Sequence, residues 1–300
     1  GVFMTILEVE NISKSFNNVQ AVDNVSFKIQ PGQIHGLLGP NGAGKTTTIR
    51  MIMNILVPDS GHISLFGQPM SDELKSKIGY LPEERGMYQK MKVKDIILFM
   101  SELHGLNLSD AKERCDYWLD KMQLLKNAES KIEELSKGMQ QKIQIIMTII
   151  HEPDLIIFDE PFSGLDPVNI NLVKDIMVDL KEKNKAIMFS THMMEAAEKL
   201  CDEVIMIDNG GKILDGKLKE IQEEHGKRSL HLEFEGDGKF LKSSPMIDNI
   251  DYYGHYVEVQ LKNDYTPNDL LKTILDKVKI IQLKSQTSSL NEIFISLAKG

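Results

Sequence analysis

Three glycines, a lysine and a threonine crowd into the eight residues Gly39-Pro-Asn-Gly-Ala-Gly44-Lys45-Thr46, a match to GxxxxGK[ST]. Glycines at this spacing let the backbone curl so that successive N–H groups point inward at phosphate oxygens. Lys45 adds a point charge for the β- and γ-phosphates, and the Thr46 hydroxyl is placed to meet Mg²⁺. Such an ion also needs a carboxylate. Leu155-Ile-Ile-Phe-Asp159-Glu160 supplies two at the end of an apolar, buried-type strand, 114 residues after Lys45 (159 − 45). Asp159 is read as the metal's partner, through its water shell. Glu160, adjacent and pointing elsewhere, is read as orienting or deprotonating an attacking water.

These residues need a scaffold, and the pattern around them describes one. Short apolar runs alternate with amphipathic helical stretches, the signature of an α/β domain with a mostly parallel sheet. Strands are expected at Ile6–Val9, Val25–Ile29, Ile34–Leu38, Ile63–Phe66 and Ile78–Leu81, with a helix from about Gly44 to Ile55. From about Val93 to Ile150 the pattern turns wholly helical and reads as a subdomain. Strands resume at Leu155–Phe158, Ala186–Ser190, Val204–Ile207 and Lys212–Leu214. After Gly226 a small α+β domain is expected, with strands Leu230–Phe234 and Tyr256–Leu261 and helices Asn268–Val278 and Leu290–Leu297. The boundaries read as 4–224 and 229–300, joined through the polar stretch Glu223–Arg228.

Composition narrows the function classes. The chain has 300 residues, 41% apolar and 26% charged, which suits one large and one small globular domain. A formal net charge of −9 argues against nucleic acid as a partner, because polyanion binders carry a basic face. Two distant cysteines, Cys115 and Cys201, fit a reducing compartment and no metal-ligand spacing. No signal peptide is expected from Gly1–Glu10. The most apolar stretch, Ile143–Ile150, falls far short of the about 20 residues a bilayer span needs. A membrane role must therefore be borrowed from a partner.

Leu135-Ser136-Lys137-Gly138-Met139-Gln140-Gln141 resembles the LSGGQ signature of ABC ATPases, with Ser136 and Gly138 kept and Lys137 and Met139 substituted. On its residues alone Ser136 also reads as an ordinary helix N-cap. Ser163-Gly164-Leu165-Asp166-Pro167 looks like the family's D-loop. Ser190-Thr191-His192 stands where the family has its switch histidine, 32 residues after Glu160 (192 − 160). The resemblance covers about Met4 to Glu224, with five motifs in family order.

It implies a P-loop NTPase fold of the ABC type with a helical subdomain, binding ATP and Mg²⁺. Asn41, Gly42, Ala43, Gly44, Lys45, Thr46 and Thr47 would hold the nucleotide, with Glu160 and His192 catalytic. Ser136 and Gly138, with Asp166, would complete the nucleotide site of a second copy, giving a homodimer around two ATP. Adenine would lie against Phe16 in Ser13-Lys-Ser-Phe16, for which core packing is the alternative. Glu83, in Tyr80-Leu-Pro-Glu83-Glu84-Arg85-Gly86, stands where the family has a Gln touching Mg²⁺. It is assigned to the metal with Thr46 and Asp159, although it adds negative charge beside a triphosphate.

The Glu-Glu-Arg-Gly segment and the Lys-bearing signature are similar to the sodium-efflux type of bacterial ABC exporter. The tail Ser289-Leu-Asn-Glu-Ile-Phe-Ile-Ser-Leu297 is similar to that of exporter ATPases. Together they imply an ATPase subunit in the cytoplasm, on the inner face of the cell membrane, driving a separate transmembrane permease. Sodium is the first cargo to consider; drugs, peptides and lipids are the alternatives. The rival class, a non-transport ABC ATPase acting on nucleic acid, is opposed by the single cassette and the negative charge.

Overall fold

The computed structural model describes residues 5–84, 86–225, 228–262 and 264–298. The chain divides into two compact units between Lys217 and Leu218.

The first unit is built on a ten-stranded sheet. Its strands are β1 (Leu7–Phe16), β2 (Val19–Ile29), β3 (Ile34–Leu38), β4 (Ser60–Leu65), β5 (Gln68–Pro69), β6 (Ile78–Leu81), β7 (Leu155–Asp159), β8 (Ala186–Thr191), β9 (Glu203–Asp208) and β10 (Gly211–Lys217). They lie in the order β5-β4-β1-β2-β10-β9-β3-β8-β7-β6. The run β9-β3-β8-β7-β6 is parallel. β3, β7 and β8 are buried at every residue, as continuous Ile/Leu/Phe runs covered on both faces should be. The other side of the sheet departs from the mostly parallel expectation: β1, β2, β4 and β5 pair antiparallel. The cause is a two-residue turn. Asn17 and Asn18 both take positive φ (45° and 67°), which closes a tight hairpin between β1 and β2. β1 thus runs on to Phe16, well past the apolar Ile6–Val9 that announced it.

Helix α1 (Lys45–Ile52) follows β3. It stops short of Ile55 because Asn54 adopts a left-handed φ of 52° just beyond its end. Between β6 and β7 the chain is helical, with α2 (Val93–Leu103), α3 (Leu108–Lys121) and α4 (Lys137–Ile149). After β7 come α5 (Pro167–Glu182) and, past β8, the short α6 (Met194–Glu198). Ile49, Ile52, Leu37, Ile157, Met188 and Ile205 meet in one core cluster with Leu7, Val25 and Ile63 of the antiparallel strands. Each such fully buried aliphatic side chain contributes roughly 1.5–3 kcal/mol by leaving water. This core anchors the ends of β3, β7 and β8, where the polar motifs begin.

The second unit opens with α7 (Leu218–Glu224) and continues with β11 (Arg228–Glu235), β12 (Ile247–Tyr253), β13 (Tyr256–Leu261), α8 (Pro267–Ile274), β14 (Lys279–Thr287) and α9 (Leu290–Ala298). Its four strands form an antiparallel sheet in the order β12-β13-β11-β14. Leu230, Leu232, Val257 and Val259 share a core cluster with Leu270 and Ile274 of α8. A reciprocal Thr266–Asp269 capping box opens that helix. β12 and β14 were not foreseen, since both are mostly polar or exposed. The divide also falls seven residues ahead of the expected 224 (224 − 217). Glu223 and Glu224 are the exposed end of α7, so their polarity reports solvent contact rather than a break between units.

Candidate functional site

The phosphate loop is shaped by close backbone approaches. A Cβ on Gly39 would stand 2.1 Å from the carbonyl oxygen of Ile207, and one on Gly44 2.4 Å from that of Ala21, so neither position admits a side chain. Gly44 has φ 107°, which turns the chain into α1. Lys45, almost fully buried, donates through Nζ to the carbonyls of Gly39 (2.9 Å) and Pro40 (3.0 Å). Its ammonium therefore lies across the loop. Burial lowers its pKa, opposed by the negative charges of Glu160, Asp159 and Glu83.

Asp159, the last residue of β7, is completely buried. The parallel register sets it beside Ser190 of β8, whose hydroxyl donates to Oδ1. Thr46 Oγ1 lies 3.4 Å from the same oxygen and 3.5 Å from Glu83 Oε2. Burial raises the Asp159 pKa against the Ser190 and Thr46 hydrogen bonds, and the charges of Glu83 and Glu160 raise it further. Its other oxygen, Oδ2, is buried without a hydrogen-bond partner. An orphaned carboxylate oxygen beside a hydroxyl and a second carboxylate is a hard, all-oxygen donor set of the kind Mg²⁺ takes. Among the described residues no group of three or more His, Cys, Asp and Glu could hold a metal alone, so phosphate oxygens would have to complete the coordination.

Glu160 takes φ 50°, an uncommon conformation for a residue with a side chain, immediately beyond the end of β7. Its N–H donates to Ser190 Oγ at 3.0 Å. Its Oε1 accepts from the His192 N–H (3.2 Å) and lies 2.9 Å from His192 Nδ1, while Oε2 is 3.4 Å from Thr191 Oγ1. Asn41, Gly42, Gly44, Lys45, Thr46, Thr47, Glu83 and Glu160, with Ala21, line one cavity of about 390 Å³. Ala43 lies buried in the loop, and its carbonyl accepts from the Gly210 N–H at 3.0 Å.

The remaining expected site residues sit elsewhere. Ser136 is the N-cap of α4, accepting from the Met139 N–H at 3.3 Å. Asp166 caps α5, accepting from the Asn169 N–H at 2.9 Å. These two, Gly138 and Phe16 are absent from the cavity's lining. Phe16 is 43% exposed at the end of β1, with Lys14 Nζ 5.8 Å from its ring centroid, which removes core packing as its role. Arg85 of the Glu83–Gly86 segment lies outside the described residues. Sequence reasoning missed Ser190 and Thr191, quoted with His192 but given no task. It also missed Ala21, whose carbonyl packs under Gly44.

Residues 22–163 match the family model described as ABC transporter, and residues 216–298 match the one described as ATP-binding protein DrrA1-3-like, C-terminal domain. The chain is 40% identical to the ABC transporter ATP-binding protein YhaQ of Bacillus subtilis over 97% of each chain. The chain belongs to the ABC transporter ATP-binding proteins. It is accordingly an ATP-binding ATPase subunit. It is 31% identical to the Linearmycin resistance ATP-binding protein LnrL of Bacillus subtilis, over 97% of this chain and 98% of that one. A solved structure of an ATP binding subunit of an ABC transporter superposes with a TM-score of 0.69 at 32% identity, covering 73% of this chain and 93% of that chain. Among the described residues no helix is long and apolar enough to cross a membrane.

Proposed function

We propose that this chain powers export through a separate membrane permease, working as two copies that close around two ATP molecules. The observation carrying the reading is the Asp159–Ser190 and Glu160–His192 network set against the Lys45 loop. Mg²⁺ held by Thr46 and Asp159, with Glu83 at its edge, would supply charge neutralisation for the triphosphate. The Gly39–Thr47 loop and Lys45 bind and orient the phosphates. Glu160 takes the proton of the attacking water, and His192, fixed on Oε1, keeps that carboxylate aimed. Ser136 and Gly138, with Asp166 at the neighbouring helix start, meet the nucleotide of the second copy. Phe16, 43% exposed at the end of β1, takes the adenine.

The chain works at the cytoplasmic face of the membrane, where its permease holds it. Two cargo readings follow from different observations. The Glu83-Glu84-Arg85-Gly86 segment with Lys137 favours sodium. Similarity along the whole chain to a relative named for linearmycin resistance favours a drug. The test is co-expression with the neighbouring permease, measuring sodium and drug efflux with the unchanged chain and with Glu160→Gln. Efflux lost on substitution supports export and names the cargo. Import, or efflux indifferent to Glu160→Gln, rejects the reading.

A further inference from the structure

Glu160 holds its left-handed backbone conformation immediately after β7, and such a conformation persists only where the surroundings impose it. On its N-terminal side the restraint is the Ser190 hydroxyl, which accepts the Glu160 N–H. On its C-terminal side its own carbonyl accepts from the Ser163 N–H at 3.3 Å, and the carbonyl of Pro161, one peptide further on, accepts from Gln141 Nε2 at 2.9 Å. Gln141 lies in α4 and is 1% exposed. Only an amide N–H can serve a carbonyl, so its orientation is settled and its Oε1 faces the interior, where it has no hydrogen-bond partner. A half-satisfied buried amide is a poor choice for stability alone; an apolar side chain of the same size would fold at least as well. The same stretch of α4 approaches the loop a second time, since a Cβ on Gly138 would sit 3.7 Å from Leu165 Cδ2.

We propose that Gln141 is a positioning residue for hydrolysis: its bond to the Pro161 carbonyl clamps the Pro161–Phe162 peptide, one peptide beyond Glu160, and so holds the Glu160 backbone with its carboxylate on His192. The inference rests on Glu160 acting as the base. Its value to the chain lies in where Glu160 points, not in fold stability or ATP binding. It also gives α4 a mechanical hold, through one hydrogen bond, on the backbone just beyond the hydrolytic residue.

The test compares Gln141→Met, which keeps the volume and removes the donor, with the unchanged full-length chain in steady-state Mg-ATP turnover and thermal unfolding. Displacement of a reacting group by about 1 Å costs on the order of 100-fold, so kcat should fall about 10–100-fold. KM for ATP should stay within about twofold and the thermal midpoint should hold or rise, as the orphaned amide is gone. In a Glu160→Gln background, Gln141→Met should lower the residual turnover no further, because the group it positions is already disabled. An unchanged kcat overturns the proposal. So does a loss of kcat accompanied by a lower midpoint, which is the mark of a structural role. Near-normal turnover in Glu160→Gln alone would instead overturn the assignment of the base, a separate outcome.

Discussion

The two kinds of polar motif in the first unit are built on opposite principles. At the ends of β7 and β8, Asp159, Glu160 and Ser190 are buried and Thr191 with them, each tied to groups from a neighbouring strand. At the starts of α4 and α5, Ser136 and Asp166 are exposed, and their side chains accept from N–H groups of their own helices. The first has its geometry imposed from within one chain, by register and burial. The second presents exposed cap side chains that accept from N–H groups of their own helices, which suits a surface that waits for a partner's nucleotide.

The strongest way to break that contrast is Glu160→Gln. Loss of a general base costs about 10²–10⁴-fold in rate, so turnover should fall by that much while ATP affinity, measured by calorimetry, is kept. Normal turnover would mean the buried network is structural. Lys45→Ala should act on binding instead, weakening ATP affinity about 10–100-fold, the scale of one charge-assisted hydrogen bond. An unchanged affinity would remove the loop from its role.

Ser136→Arg probes the exposed side. Placed in the Glu160→Gln background, it should abolish an ATP-dependent dimer seen by light scattering, yet leave ATP affinity of the monomer within about twofold. An equally strong dimer would reduce Ser136 to a helix cap. The smallest effects come from making the same substitution on both sides. Asp166→Asn keeps an N-cap of equal quality and should shift stability by less than about 0.5 kcal/mol. Asp159→Asn removes a buried charge whose ionised form burial disfavours. The nucleotide-free chain should therefore melt a few degrees higher at neutral pH, given that 1 kcal/mol moves the midpoint by about 2–4 °C at this size. Its stabilisation by Mg-ATP should shrink. Equal shifts at the two positions would erase the contrast.

What could be read from the residues in order was local. The glycine loop, the acids closing β7 and the helix caps each lie within a few positions of the feature that announces them. The hidden part was relational. Ser190 reaches Asp159 because β7 and β8 are parallel neighbours in one register, and Gln141 reaches Pro161 because α4 passes the loop beyond β7. Neither pairing leaves a trace in hydrophobic period. The β1–β2 hairpin was underestimated for the same reason: its outer half alternates weakly, and two asparagines do the turning. In the second unit, β12 and β14 are sheet strands with few apolar residues, recognisable only once β13 and β11 lie beside them.

The strand that carries the phosphate loop has a further consequence, for the order in which the molecule is made. β3 ends at Leu38, yet its sheet neighbours are β8 and β9, which begin at Ala186 and Glu203. Gly39 takes its shape against the carbonyl of Ile207. A ribosome must therefore add some 165 residues after β3 (203 − 38) before the last wall of the loop's cradle begins to exist. Contacts so distant in sequence form late: the apolar β3 has neither sheet neighbour until β8 has been made, and lacks its second until β9 follows. A chain stalled before Glu203 should carry the whole glycine-lysine motif and retain no ATP. Nucleotide capture is thus among the last properties the first unit acquires in synthesis, although its loop is among the first parts to emerge.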